Sequence, residues 1–224
     1  MQSQLSKPFA WRGGVNISAL AAAEQRSYGF YHWYVRNVTV LEPTIGTHFQ
    51  LNASQAGTGS GLAKMPYLRD SRRSGAGIDE FRVFYANLSV ADPVDNTTAV
   101  HWPDAVGIGQ YFFADIHTMT AQSCPLPIYL IPGAAVKPYY IPFRALTVNG
   151  APNVLVCGKS MAMSFWANAA MRLHPEEWTS GVAAGTAAAL MVRNGWDTSV
   201  ALANIDQVQY VLIKQGQPLK WTFP

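Results

Sequence analysis

The chain is short of charge, short of cysteine and free of long apolar runs, and each shortage removes a class of protein. Only 13% of its 224 residues are charged and 49% are hydrophobic, which excludes a solvating, disordered polypeptide and leaves one able to bury a sizeable core. The charge excess is small, 16 basic against 13 acidic residues for a net +3, and the basic residues are scattered. Nucleic acid is therefore not an expected partner, because it selects a clustered basic face. The longest nearly unbroken apolar stretch, residues 182–192, contains Gly185 and Thr186 and falls well short of the roughly 20 residues that a spanning helix needs. No membrane span is expected.

The two cysteines, Cys124 and Cys157, form no C-x-x-C unit, cannot hold a metal by themselves and allow at most one disulfide. Histidines 32, 48, 101, 117 and 174 show neither H-x-x-x-H nor H-E-x-x-H spacing, so no metal site is expected. No G-x-S-x-G elbow occurs, and Cys157 in its apolar stretch reads as a small buried hydrophobe rather than a nucleophile. Residues 1–7 lack the basic stretch and apolar segment of a signal peptide. Against this, N-x-[ST] sequons stand at Asn16, Asn37, Asn52, Asn87 and Asn96, half of the ten asparagines, where chance gives roughly one or two. They point to the secretory pathway. Asn beside Ser or Thr also arises in turns and caps without any glycan, which leaves the cytoplasm as the alternative.

What is present divides into three regions. Residues 18–36 read as a helix with Asn16 or Ser18 as cap, its aromatic far end buried. Residues 37–146 read as sheet-rich, with strands at 37–51, 82–88 and 107–116, a Gly/Ser/Thr loop at 55–61, and prolines breaking 124–143 into short extended pieces. Residues 147–224 open on a buried strand, 153–157, ending at Gly158. An irregular Met/Ala/Trp segment leads from there to a helix that starts near Glu176 and closes at Asn194-Gly195, and two short helices follow, starting near Thr198 and Asp206, the second stopped by Gly216.

Three stretches could carry chemistry. The Gly57–Lys64 stretch has glycines but neither phosphate-loop spacing, so it reads as a flexible loop. Arg69, Arg72 and Arg73, beside Tyr67, supply forked and permanently charged donors able to hold an anion, or else a solvated turn. Gly158 at the end of a strand permits close backbone approach, and the helix after Pro175 carries Gly181, Ala183, Ala184, Gly185 and Ala187, which would let it press on a neighbour. Its start would offer N–H groups and a positive dipole end to a carbonyl or anion. His174, immediately before that start, could exchange a proton with a substrate or simply pack.

Four segments in order, MPYLRDSRR at 65–73, VGIGQYFFADIH at 106–117, KPYYIPFRAL at 137–146, and NVLVCGKS at 153–160 with MRLHPEEWTSGVAAGTAAAL at 171–190, resemble the carboxy-terminal half of FAD-dependent oxidoreductases with a glutathione-reductase-type flavin domain. The resemblance covers most of the chain from Trp11 onward. It implies an α/β fold of α+β character, in which a mixed β-sheet substrate-type domain is joined to the last strand and helix of a Rossmann-like FAD domain. It also implies FAD as cofactor and hydride transfer between a small organic substrate and the flavin.

By position, the resemblance puts Gly158, Lys159 and Ser160 at the turn that delivers backbone to the cofactor. Arg172 and Pro175 match its R-x-x-P segment, and Trp178, Thr179 and Ser180 lie where the next helix begins. Arg69 and Arg72 face cofactor or substrate, Tyr140 and Arg144 approach from the sheet, and His174 and Arg172 are the candidate catalytic pair. The sequence departs from the family at His174 (usually Met), at Cys157 (usually Ala) and at 74–77. It also contains no G-x-G-x-x-G, the fingerprint that grips the ADP moiety. The dinucleotide half is then missing or on a separate chain. A secreted, non-catalytic glycoprotein that keeps the fold, or one subunit of a two-chain flavoenzyme, is the alternative.

Overall fold

The computed structural model describes residues 17–41, 50–65, 67, 73–111 and 135–222. Packing groups the described residues up to 67 in one unit and those from 73 in another.

The first unit is built on helix α1, Ile17–Leu41. Its opening Ala-Leu-Ala-Ala-Ala run favours helix, since alanine loses no side-chain entropy on ordering. Ser27 Oγ donates to the carbonyl of Ala23 and Asn37 Nδ2 to that of Trp33, at 3.0 and 2.7 Å, so both polar side chains bond back along the helix and leave its ladder intact. The helix continues through residues 37–41, where a strand was expected. β-branching is only a weak preference and yields to propagation of a helix already formed. The aromatic end is also not buried as expected: Phe30 and Trp33 are exposed, with Phe30 stacked on both Trp33 and Tyr34. A one-turn helix, α2 (Ala53–Ala56), follows, capped by Asn52 and ended by Gly57 in the left-handed region. It stands at the edge of the predicted loop. Tyr28 Oη reaches the carbonyl of Ser60 at 3.4 Å within this unit.

The second unit holds a two-stranded antiparallel sheet, β1 (Ala105–Gly109) with β2 (Tyr139–Pro142). Ile108 pairs with Tyr140 and Gly109 with Tyr139, and a bulge lies between Ala105 and Gly107. Helix dominates the rest: α3 (Ala86–Ser89), α4 (Phe165–Met171), α5 (His174–Asn194), α6 (Thr198–Ala203) and α7 (Ile205–Lys214). The core gathers Val83, Leu88, Val106, Tyr139, Ile141, Phe143, Leu146, Met161, Met171, Ala183, Ala187, Val208 and Leu212. Residues on both sides of position 146 share it, as the Val156 N–H to Leu146 carbonyl bond illustrates.

The mixed sheet is thus smaller than expected. The predicted 82–88 strand keeps one bridge, Val83 to Met163, because Asn87 Oδ1 accepts the Phe84 N–H and turns the chain into α3. The predicted 153–157 strand likewise reduces to a bridge between Leu155 and Thr147. The Met/Ala/Trp segment contains α4, started by Ser164 accepting from the Ala167 N–H. Of the predicted 107–116 strand, residues 107–109 belong to β1, which starts two residues earlier, and 112–116 lie outside the described residues. The carboxy-terminal expectations hold closely: α5 closes at Gly195, whose φ is +68°, α6 and α7 follow, and Gly216 at φ +83° ends the last.

Candidate functional site

Helix α5 begins at His174, two residues earlier than expected, and puts Pro175 at its second position. Its N-cap residue, Leu173, has no side-chain acceptor to offer, and the Glu177 N–H bonds to the Leu173 carbonyl instead. The Glu176 carboxylate accepts from its own N–H and from that of Gln110, and its Oε1 accepts from Tyr139 Oη at 2.9 Å. Glu176 is 1% exposed. Burial pushes its carboxyl up from the ordinary 4.5, against the three hydrogen bonds that favour the charge. The same desolvation, with Glu176 beside it, raises the Tyr139 phenol well above its usual 10.

The close approach expected of the glycines in this helix is made by other glycines. Gly181 and Gly185 have open space where a Cβ would stand, while Gly107 and Gly109 of β1 carry the contact. A Cβ at Gly107 would overlap the methyl group of Thr179, and one at Gly109 would stand 2.5 Å from the Tyr139 ring and 2.7 Å from Glu176 Oε1. Gln217 Nε2 donates to the carbonyls of Val106 and Thr179, clamping β1 to α5.

Against the first two turns of α5 lies a short 3-10 turn, Gly158–Ser160. Gly158 adopts φ +58°, and the Glu177 carboxylate occupies the space that a side chain there would need. Its N–H donates to Ser180 Oγ at 2.9 Å, and Ser180 in turn donates to the Glu176 carbonyl at 2.6 Å. Asn168, wholly buried, donates Nδ2 to the Lys159 carbonyl at 3.3 Å. The Ser160 carbonyl accepts from Ser74 N–H at 2.8 Å, which brings the end of the arginine-rich segment to the turn. Arg73 stands 5.9 Å above the Phe165 ring nearby, while Arg69 and Arg72 lie outside the described residues.

Of the residues expected at the helix start, Ser180 reaches the Gly158 turn from the second helical turn rather than the first. Thr179 faces β1, and Trp178 is 77% exposed. Arg172 is buried directly after α4, and His174 is exposed at the first position of α5. Tyr140 is buried with its ring 4.5 Å from that of His101. Arg144 is held in a fork: Nε and Nη2 each lie 3.0 Å from a carboxylate oxygen of Asp104, and the guanidinium covers the Phe81 ring at 4.2 Å and the Trp102 ring at 5.5 Å. Cys157, expected to be buried, is exposed, since its segment is no buried strand. Partial burial and the Glu177 charge push its thiol up, away from nucleophilic character.

Asp92, Asp95 and His101 bring potential ligand atoms within 4.8 Å of one another. All four carboxylate oxygens already accept hydrogen bonds, from the N–H groups of Val94, His101, Thr97 and Thr98, from Thr98 Oγ1 and from His101 Nε2. The trio fastens its own loop.

Sequence reasoning passed over Glu177, Asn168 and Tyr139. A Glu-Glu pair following proline in a helix with no polar N-cap was the available signal for the first, and the other two are set by tertiary contact alone. Among the described residues, three buried oxygens have no hydrogen-bond partner: Asn168 Oδ1, Glu176 Oε2 and Glu177 Oε1. Two of them, on Asn168 and Glu177, belong to side chains packed on the Gly158–Ser160 turn. Such atoms call for donors.

Residues 17–212 match a family model, FAD dependent oxidoreductase; no curated protein and no solved structure matches the chain. The residues at the turn fit part of that family's cofactor. FAD carries hydroxyl and N–H donors, and the side chains packed on the turn hold two acceptor oxygens, Asn168 Oδ1 and Glu177 Oε1, that lack donors. The helix start is less available than expected, because Glu176 already takes its own N–H and the Glu177 N–H is bonded to the Leu173 carbonyl. The match spans most of the chain, which therefore belongs to the FAD-dependent oxidoreductase family, whose cofactor is FAD.

Proposed function

We propose that the chain is the carboxy-terminal portion of an FAD-dependent oxidoreductase with a glutathione-reductase-type flavin domain, acting by hydride transfer between a small organic substrate and flavin. The observation that carries this reading is the Gly158–Ser160 turn packed on the start of α5, with exposed His174 and buried Arg172 beside that start. FAD, when bound, supplies the hydride chemistry. The chain's own residues position and tune. The turn approaches the cofactor with backbone, Arg69 and Arg72 hold anionic groups, and Arg172 supplies fixed positive charge. His174 exchanges a proton with the substrate, and Tyr140 and Arg144 form the sheet-side wall. The dinucleotide-binding half comes from other residues of the same polypeptide or from a second chain. The outward face of α5, with Trp178 77% and Val192 86% exposed and Gly181 and Gly185 open, supports a partner on that side.

Flavin titration of the full-length protein, followed by absorbance and fluorescence, tests the reading. Bound flavin whose absorbance bleaches on anaerobic addition of a reducing substrate is expected; absence of flavin binding by the full-length protein overturns it. A second reading, a secreted glycoprotein that keeps the fold without catalysis, draws support from the exposed sequon residues Asn52 and Asn96. It predicts glycans and no bound flavin.

A further inference from the structure

We infer that Glu176 and Tyr139 form a proton clasp over the connection that carries Arg172 and His174: while the Glu176 carboxyl keeps its proton, Tyr139 bonds both α4 and α5, and once that proton leaves, Tyr139 releases α4. The inference concerns a group inside the fold and stands apart from what the neighbouring turn binds.

The count of hydrogens carries it. Tyr139 Oη lies 3.0 Å from the Ala170 carbonyl and 2.9 Å from Glu176 Oε1, while a phenol has one hydrogen to give and a carbonyl has none. With Glu176 ionised, the phenol hydrogen goes to Oε1, the stronger acceptor, and the Ala170 carbonyl faces a bare oxygen. That carbonyl lies in the last turn of α4, where carbonyls have no partner within the helix. With Glu176 protonated, the carboxyl gives its hydrogen to Tyr139 Oη and Tyr139 gives its own to Ala170. Both short contacts are then hydrogen bonds, and this is the form the fold favours at neutral pH.

The other carboxyl oxygen agrees. Glu176 is 1% exposed, and its Oε2 is buried with no hydrogen-bond partner among the described residues. Ionised, that oxygen would hold half of a negative charge out of water with nothing to meet it. Protonated at Oε1, the residue leaves Oε2 as a neutral carbonyl oxygen, which costs less to leave bare. The Tyr139 phenol faces the carboxyl from β2, Gly109 and the next N–H, that of Gln110, from the β1 side, and the Glu176 N–H from α5 itself. Glu177 adds a second carboxylate that opposes ionisation, and burial prevails over the hydrogen bonds that favour the charge.

The clasp closes over a short span. Helix α4 ends at Met171 and α5 begins at His174, so Arg172, Leu173 and His174 lie between the two residues that Tyr139 holds. Loss of the Ala170 bond releases one end of that connection.

Infrared spectroscopy of the full-length protein reads the proton directly. Carboxyls exposed to water are ionised at neutral pH, so a carboxylic-acid C=O band there marks a buried acid. That band is expected in wild type, shifting in deuterium oxide and disappearing as pH is raised while the protein stays folded. It should be missing from Glu176→Gln, whose amide still donates to Tyr139 but cannot titrate. A folded wild type with no such band at neutral pH overturns the inference without recourse to any variant, and an identical band in Glu176→Gln overturns it as well. Amide hydrogen exchange at residues 171–174 reads the clasp. Relative to Glu176→Gln at the same pH, wild-type exchange should rise several-fold as the band disappears; a ratio that stays constant across that range overturns the release of α4.

Discussion

Tyr139 Oη lies 2.9 Å from Glu176 Oε1 and 3.0 Å from the Ala170 carbonyl, so one phenol on β2 joins the last turn of α4 to the first turn of α5. Tyr139→Phe removes the only side-chain partner of Glu176 among the described residues and leaves its buried carboxyl group with backbone donors alone. Thermal or denaturant unfolding should show a loss of about 1–3 kcal/mol. An unchanged melting temperature would mean that water replaces the phenol.

Glu176 makes stability depend on pH in a stated direction. Burial raises its folded-state pKa above 4.5, so over a window beginning there the folded protein keeps a proton that the unfolded chain has released. The stabilisation associated with the protonated group is fully present below about 4.5 and is lost as pH rises through the folded value. Glu176→Gln, which cannot titrate, should flatten that decline and raise the melting temperature at neutral pH. Melting curves of both proteins across the acid-to-neutral range check this.

Asp104 and Arg144 form a partly buried ion pair in which the carboxylate is 5% and the guanidinium 26% exposed. Asp104→Ala strips the buried fork of its partner and also removes the acceptor for the Arg144 N–H. It should cost about 3 kcal/mol, read by denaturant midpoint. Arg144→Lys keeps the charge but loses the two-point fork and the stacking on Phe81 and Trp102. It should therefore fall between wild type and Asp104→Ala.

Gly158→Ala forces a side chain into the left-handed region at φ +58° and into the Glu177 carboxylate. Because the obstacle is the end of a movable side chain, the fold should survive with a loss of about 1–2 kcal/mol. Flavin affinity, read by titration, should fall as well, because this turn is the part of the chain proposed to approach the cofactor. A variant that melts early yet binds FAD normally would detach this glycine from the site.

How much of this was legible in the sequence follows the range of the interactions. The end of α5 at Gly195, the stop at Gly216 and the starts of α6 and α7 rest on local chemistry, such as Asp197 accepting from Val200 N–H, and local chemistry is written in adjacent residues. The start of α5 was placed two residues late because Leu173 offers no capping side chain, so the usual signal is silent. The 82–88 strand failed because one asparagine, Asn87, redirects a segment of strand-forming composition. At the site, the segments were found but their partners were not. Gly158 meets Glu177 nineteen positions away, Asn168 meets Lys159 from another helix, and Arg144 closes on Asp104 forty residues earlier. No periodicity encodes such pairs.

Gly107 and Gly109 let β1 lie directly against α5, with a methyl group of Thr179 and the carboxylate of Glu176 filling the places of the two absent side chains. The helix is therefore seated in the strand like a key in a notched bar: a slide along its axis would drive one of the two notches into a side chain. The height of the first turn of α5 over the Gly158–Ser160 turn is set by the strand below it, so a substitution on β1, remote in sequence from every candidate residue, would act as an adjustment of the distance between Glu177 and whatever that turn binds.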